Sequence, residues 1–300
     1  ASVNMLIQRG LNVPVKPISC GVELDQFKSV LPEEVRNIKE QYQFNNRRKH
    51  LLYVGRIDEE KRVDILLQGM AKSKDPNVEL ILAGGGAAEE SMRNLSKILK
   101  LSKKIRFLGK VRRSEIPALY AACDVFIMPG DVESLSIATL EAMSCGKPVI
   151  AANAMALPEL VSVGQNGLLF KPRNSVDLGR KIDQLCTMKK CWPKMGANSL
   201  EKVQEHDLRL TIKKYQNLYQ QLIERGPSKP HSAVQKRLSK TVVHPFSMLL
   251  IVSMIGLLSA DYIRILPAFI TFFKEIKFTT AQVIHLISIL DELKNAFLLI

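Results

Sequence analysis

Cysteine is scarce and unpatterned. Five cysteines stand among 300 residues, an odd number with no CxxC pair, which fits a reducing compartment better than a disulfide framework. Cys186 and Cys191 lie five apart with no partner ligand nearby, which argues against a metal site. Cys123 and Cys145 sit in apolar runs and read as core thiols rather than nucleophiles. Histidine is equally thin. His50, His206, His231, His244 and His285 form no metal-ligand spacing, so none is given a catalytic role. No Walker sequence, HExxH or nucleophile elbow occurs, which removes the P-loop, zincin and serine-hydrolase chemistries those motifs carry. No internal repeat or low-complexity segment stands out. The chain opens at Ala1, with neither a methionine nor a charged-then-apolar leader, and reads as a fragment or a processed form.

Aromatics are few, at 6% of residues. The densest basic stretch, Lys97 to Arg113, holds Lys97, Lys100, Lys103, Lys104, Arg106, Lys110, Arg112 and Arg113 but only one aromatic, Phe107. Without a stacking platform, nucleic acid is the weaker reading of that charge. What is present is a globular composition: 46% hydrophobic and 24% charged, enough for one large domain or two modest ones. The formal charge of +14 calls for anionic partners, whether phosphates or an acidic membrane surface.

From about residue 50, buried-strand runs alternate with amphipathic segments. Strands are expected at Leu51 to Gly55, Val78 to Ala83, Ile105 to Leu108, Asp124 to Met128 and Pro148 to Ala151. Helices are expected at Val63 to Ala71, Glu89 to Leu101, Ser114 to Ala122 with a Ser cap, and Ile137 to Met143. After a short unit at Gly167 to Phe170, the pattern turns helical over Val176 to Met188, Trp192 to Glu205 and Leu208 to Glu224. Repeated strand–helix units of this length predict an α/β fold, a Rossmann-like parallel sheet with helices on both faces. Ligands then bind at the carboxyl ends of the strands, where Gly55, Gly84 to Gly86, Gly109 and Pro129 all stand.

Gly226 to Pro230 breaks the chain, and the character changes. A basic tract with Lys229, Lys236, Arg237 and Lys240 leads into a charge-free run from Pro245 to Ala260. Apolar runs follow at Ile265 to Phe273 and Phe278 to Leu290. Fifteen residues from Phe246 make only about 22 Å of helix against a hydrocarbon core of roughly 30 Å. Extending the run to Phe273 makes it long enough but would place Asp261 and Arg264 in lipid unless they pair at their three-residue spacing. The expectation is therefore a membrane-associated tail, a helical hairpin or interfacial helices rather than a clean span, with a soluble helical appendage as the alternative. The basic tract favours anionic lipid on the cytoplasmic side.

The most informative stretch is Glu133 to Pro148, with two glutamates eight positions apart. At about 100° per residue, Glu133 and Glu141 would lie roughly 80° apart on a helix, which argues against both being helical. Glu133 then precedes the helix, Ser136 caps it, Gly146 ends it and Pro148 prevents its return. Between the two carboxylates lie free amides and the positive end of a helix dipole, which suit a diphosphate. Taken alone, the pair reads more readily as an ordinary loop glutamate, Glu133, and a surface helix glutamate, Glu141, and the neighbouring features must change that reading. Arg56 and Lys61 follow another strand end in Gly55-Arg56-Ile57-Asp58-Glu59-Glu60-Lys61 and suit a pyrophosphate leaving group. Their alternative is ordinary ion pairing with Asp58, Glu59 and Glu60. Gly84-x-Gly86 resembles half a dinucleotide fingerprint, but Glu89 occupies the third glycine's place and disfavours a nicotinamide cofactor.

Taken in order, Ile18 to Phe27, the Gly55 to Lys61 loop, the Gly84 turn, Glu133 to Pro148 and Gly167 to Pro172 closely resemble the retaining GT-B glycosyltransferases of glycosyltransferase family four, over about residues 1 to 225. The resemblance implies the nucleotide-sugar-binding carboxyl-terminal half of a two-domain enzyme. Residues 1–28 resemble the linker from a missing acceptor domain, residues 29–225 the donor-binding domain, and Trp192 to Glu224 the helices that cross back. Residues 226–300 form the basic linker and apolar tail. By position, the resemblance implies that Arg56 and Lys61 hold the diphosphate, Glu133 meets the sugar hydroxyls and Glu141 the ribose. Leu135, Ser136 and Ile137 would offer backbone groups near sugar and phosphate, with Gly55 and Gly84 allowing close approach and Val111 beside the base. A metal and other cofactors are not required in such enzymes, and the anomeric configuration is retained. Two departures are visible: Cys20 replaces a usual asparagine, and Ser-Leu-Ser follows Glu133 in place of Gly-Phe-Gly. The second reshapes the floor of the sugar pocket.

The expected function is transfer of a hexose, glucose from UDP-glucose foremost, to a membrane lipid such as diacylglycerol at the cytoplasmic face. Surface polysaccharide or a lipid-linked glycan is the alternative acceptor. A non-catalytic nucleotide-sugar-binding module is the alternative of another class.

Overall fold

A computed structural model describes residues 2–11 and 15–225; the basic linker and apolar tail expected at 226–300 lie outside the described residues. Three helices, α1 (Ser2–Gln8), α2 (Leu24–Lys28) and α3 (Pro32–Gln41), precede the first strand. The alternation then runs β1 (Lys49–Val54), α4 (Val63–Lys72), β2 (Val78–Ala83), α5 (Glu89–Ile98), β3 (Ile105–Gly109), α6 (Ile116–Ala122), β4 (Val125–Met128), α7 (Ile137–Ser144), β5 (Val149–Ala152), α8 (Leu157–Leu160) and β6 (Gly167–Phe170). Helices α9 (Ser175–Thr187), α10 (Trp192–Val203) and α11 (Leu208–Arg225) close the described chain.

The six strands form one sheet in the order β3-β2-β1-β4-β5-β6, every pairing parallel. Strand β1 pairs on one side with β2 (Leu51 opposite Leu80) and on the other with β4 (Leu51 opposite Val125). The chain therefore winds outward in one direction through β3 and returns to wind the other way from β4. The order reverses between β1 and β4, and sheets of this kind take ligands outside the carboxyl ends of their strands at such a point. Helix α4 packs on α9 and α5, while α7 packs on α10, α2 and α6. All six residues of β2 are buried, as expected for a strand covered on both faces. Val78, Leu80, Ile81 and Leu82 of this strand each contribute about 1.5–3 kcal/mol by leaving water. The α4–α9 contact is close because neither helix has a side chain at the crossing. A Cβ on Gly69 would meet Leu178 at 2.7 Å, and one on Gly179 would meet the Gly69 carbonyl oxygen at 3.0 Å.

Local chemistry explains most boundaries. Ser136 caps α7, accepting from the Thr139 amide at 3.4 Å and the Thr139 hydroxyl at 2.8 Å. Gly146, at φ +64°, turns the chain out of that helix. Asn174 caps α9 through the Asp177 amide at 2.9 Å. One expected cap is absent. Ser114 lies inside a 3-10 turn, Arg113–Glu115, and α6 starts only at Ile116. Pro117 in the first turn of α6 has no N–H to satisfy, so no side-chain cap is needed there. Helix α5 ends three residues earlier than expected, and Lys100 takes a left-handed φ of +57° just beyond it.

The segment before β1 is stitched into the body. Val22 donates its amide to the His206 carbonyl at 2.8 Å and accepts from the Leu208 amide at 3.0 Å. Gly21 permits this, since a Cβ there would sit 2.3 Å from Leu208 Cα. Among the described residues, no helix is long and apolar enough to cross a membrane. All five cysteines are free. Burial pushes the Cys145 thiol up to about 12 and raises that of Cys123 further, in keeping with core thiols.

Candidate functional site

At the ends of β1 and β2 the backbones keep pairing beyond the strands. Gly55 donates to Ala83 (3.0 Å), Gly84 to Gly109 (2.8 Å) and Ile57 to the Gly85 carbonyl (2.9 Å). This close crossing requires Gly84: at φ +138° its Cβ would lie 1.9 Å from the Gly55 carbonyl oxygen. The glycine run thus serves loop-on-loop approach. The buried Tyr53 holds the turn from beneath, its hydroxyl donating to the Arg56 carbonyl at 2.6 Å. Burial, and next the Glu133 carboxylate, push that phenol far above its ordinary range.

These loops wall a cleft of about 350 Å³ lined by Gly55, Arg56, Gly84, Lys110, Val111 and Ile116 among others. Four sequence-predicted residues, Gly55, Arg56, Gly84 and Val111, therefore share one cavity. Lys61 and Glu133 are brought into direct contact. Lys61 ends a 3-10 turn, Glu59–Lys61, and its Nζ lies 2.9 Å from Glu133 Oε1. Arg62 then takes a left-handed φ of +54° to start α4, which fixes where Lys61 leaves the backbone. Glu133 is 7% exposed, and its carbonyl accepts from the Ala156 amide at 3.1 Å. Gly130 leaves room for its carboxylate, since a Cβ there would stand 2.9 Å from Glu133 Oε1.

Arg56 is placed differently. Its guanidinium is exposed and bonded to Asp58 Oδ2 and Glu60 Oε1, each at 2.5 Å. The ordinary ion-pairing alternative is thus realised, with Arg56 still on the cleft wall. Glu60 Oε1 also lies 4.0 Å from Lys61 Nζ, so the charges run Arg56, Glu60, Lys61, Glu133 in series.

Glu141 sits on α7, after the loop that carries Glu133, with Oε2 accepting from the Tyr120 hydroxyl at 3.0 Å. Burial raises its carboxyl above the usual range, while the Tyr120 hydrogen bond and the Arg113 charge pull it back. Leu135 is half-buried against the core, Ser136 is buried as the cap, and Ile137 exposes its side chain. The first amides of α7 have no intrahelical acceptor, and that of Thr139 is taken by the Ser136 hydroxyl.

Three side chains at this site carried no sequence signal: Tyr53, Tyr120 and Lys110. The tyrosines read as core residues because their partners are made by the fold, and Lys110 was one cation of a basic run. Of the basic residues between Lys97 and Arg113, only Lys110 lines the cleft.

The model of the family described as glycosyl transferases group 1 matches residues 34–202, more than half of the chain. The chain belongs to this family. It is similar to the uncharacterized glycosyltransferase MJ1607 of Methanocaldococcus jannaschii, at 30% identity over 57% of this chain and 44% of that protein. It is also similar to the sulfoquinovosyl transferase SQD2 of Arabidopsis thaliana, at 31% over 56% and 32%. The chain spans less than half the length of these two curated relatives. Among solved structures, Anabaena Alr3699/HepE in complex with UDP-glucose superposes with a TM-score of 0.68 at 27% identity, over 74% of this chain and 62% of that one. The group 1 family and its named relatives are glycosyltransferases, the enzyme class read from the sequence, and the six-stranded sheet with its helices matches one half of a GT-B fold.

Proposed function

We propose that this group 1 chain is the donor-binding half of a retaining glycosyltransferase of family four, moving a hexose from a uridine diphosphate sugar, glucose foremost, to a membrane lipid such as diacylglycerol. The observation that carries the donor reading is the Lys61–Glu133 pair, 2.9 Å apart at the β1/β4 reversal beside the cleft. The UDP-glucose complex of the structurally similar HepE supports it.

Each residue then has a task. The base lies by Val111, Glu141 accepts from the ribose hydroxyls, and the diphosphate meets Lys61, Arg56 and the first amides of α7. Arg56 can exchange Asp58 and Glu60 for phosphate cheaply, because exposed ion pairs are worth about 0–1 kcal/mol. Glu133 takes the sugar hydroxyls on the far side of Lys61. As the bond from the anomeric carbon to the diphosphate oxygen breaks, Lys61 and Arg56 neutralise the growing charge. The acceptor hydroxyl bonds to the same face of that carbon, its proton passes to the departing phosphate, and the configuration is retained.

The acceptor side belongs to a second domain joined through residues 1–28 and contacted by the segment 192–224. The basic tract and apolar runs beyond residue 226 support a lipid acceptor at the inner face of the membrane. Surface polysaccharide and lipid-linked glycan are the other acceptors to test.

Radiolabelled UDP-glucose offered with diacylglycerol vesicles tests the reading. Label in the lipid phase, α-linked, is expected. Label only in a water-soluble glycan would reject the lipid acceptor, and tight binding without any UDP release, even with the complete two-domain enzyme, would favour a binding module.

A further inference from the structure

The Tyr120 hydroxyl is fully buried and has one proton for two acceptors, Glu141 Oε2 at 3.0 Å and the Ala138 carbonyl at 3.1 Å. The ring is fully buried and packs on two aromatic neighbours, edge-on to Phe27 at a centroid distance of 6.0 Å and tilted on Phe126 at 5.8 Å. We propose that Tyr120 is a positioning residue of the donor site, pinning one oxygen of the Glu141 carboxylate so that the other faces the ribose. The inference rests on the assignment of Glu141 to the ribose.

The geometry gives the contact a direction. While Glu141 is ionised, the phenol donates to Oε2 and the carboxylate can only accept, which is what a ribose diol needs. When Glu141 takes a proton, the carboxyl can donate to the phenol oxygen and the phenol proton turns to the Ala138 carbonyl. The diol then loses its charged acceptor. Tyr120 therefore also biases the site toward its binding-competent form, against the burial that favours the protonated carboxyl.

The groups acting on Glu141 are few. Tyr120 of α6 and Arg113 at the turn before it both favour the carboxylate. The Cys145 thiol, just past the end of α7, is held neutral by burial, and Tyr53 acts on Tyr120 from β1. Helices α2 and α10, also packed on α7, present no charged group acting on Glu141 among the described residues.

Calorimetric titration of UDP-glucose, whose diphosphate carries no titrating proton in this range, from about pH 5 to about pH 8 tests the proposal on the 300-residue chain. Tyr120→Phe keeps the ring, and a thermal melt verifies the fold. The affinity at neutral pH is expected to fall about 3- to 10-fold, with the acid limb of the profile moved to higher pH. Glu141→Gln is expected to weaken binding and abolish that limb. If Glu141→Gln weakens binding while Tyr120→Phe leaves the limb in place, whether or not affinity falls uniformly, the positioning role is wrong and the ribose assignment stands. If Glu141→Gln changes nothing, the ribose assignment is wrong and the inference goes with it.

Discussion

Lys61 Nζ and Glu133 Oε1 meet at 2.9 Å although the residues are 72 apart in sequence. The contact joins the loop leaving β1 to the loop leaving β4, the two strands between which the sheet reverses. Glu133 is nearly buried, and Lys61 is the cation that meets its carboxylate.

Lys61→Met removes that partner and leaves a desolvated carboxylate. We expect a loss of about 1–3 kcal/mol in chemical denaturation and a drop in UDP-glucose affinity of about tenfold or more. Unchanged stability would mean that the pair does not form in solution.

Gly84→Ala places a methyl group 1.9 Å from the Gly55 carbonyl at a φ of +138°. A destabilisation of about 2–4 kcal/mol is expected. Gly109→Ala is the control: its Cβ meets nothing within 4 Å, but its φ of +69° carries backbone strain alone. It should therefore cost less.

Glu141→Gln separates stability from binding. Its carboxyl is raised in the folded chain, so the folded state holds its proton more tightly than the unfolded state does. That contribution is full below the unfolded value and is lost as pH rises through the folded one, which makes ionised Glu141 a burden near neutrality. The variant should melt about 1–3 °C higher at pH 7 while binding donor more weakly. The gain should shrink as pH falls. A lower melting temperature at every pH would contradict the account.

Lys147 is half-buried, with its ammonium donating to the Ala121 (2.9 Å) and Cys123 (2.7 Å) carbonyls at the end of α6. Burial lowers its pKa below 10.5, so the unfolded chain binds the extra proton between the two values, and this group's contribution to stability rises with pH across that window. Lys147→Ala strands both carbonyls and opens a cavity. Denaturation should show a loss of about 2–4 kcal/mol.

The parallel sheet was legible because its strands are largely apolar runs, most of them followed by Gly or Pro, and β2 is buried along its whole length. The α7 start was legible because Ser136 caps locally. Helix α3 was not: only Ile38 of its ten residues is buried, so its charged face hides the period. At the site, residue types and loop positions were readable, and the Arg56 ion pairs were foreseeable because Asp58 and Glu60 are within four residues. Tyr120 with Glu141 and Lys61 with Glu133 were not readable as pairs, because 21 and 72 residues of chain separate partners that only the sheet brings together.

The most direct test of a donor site at the β1/β4 reversal is calorimetric titration of UDP into the chain and into its Lys61→Met and Glu141→Ala variants. The account predicts saturable binding by the parent and about a tenfold or greater loss in each variant. Equal affinity across all three proteins would contradict it.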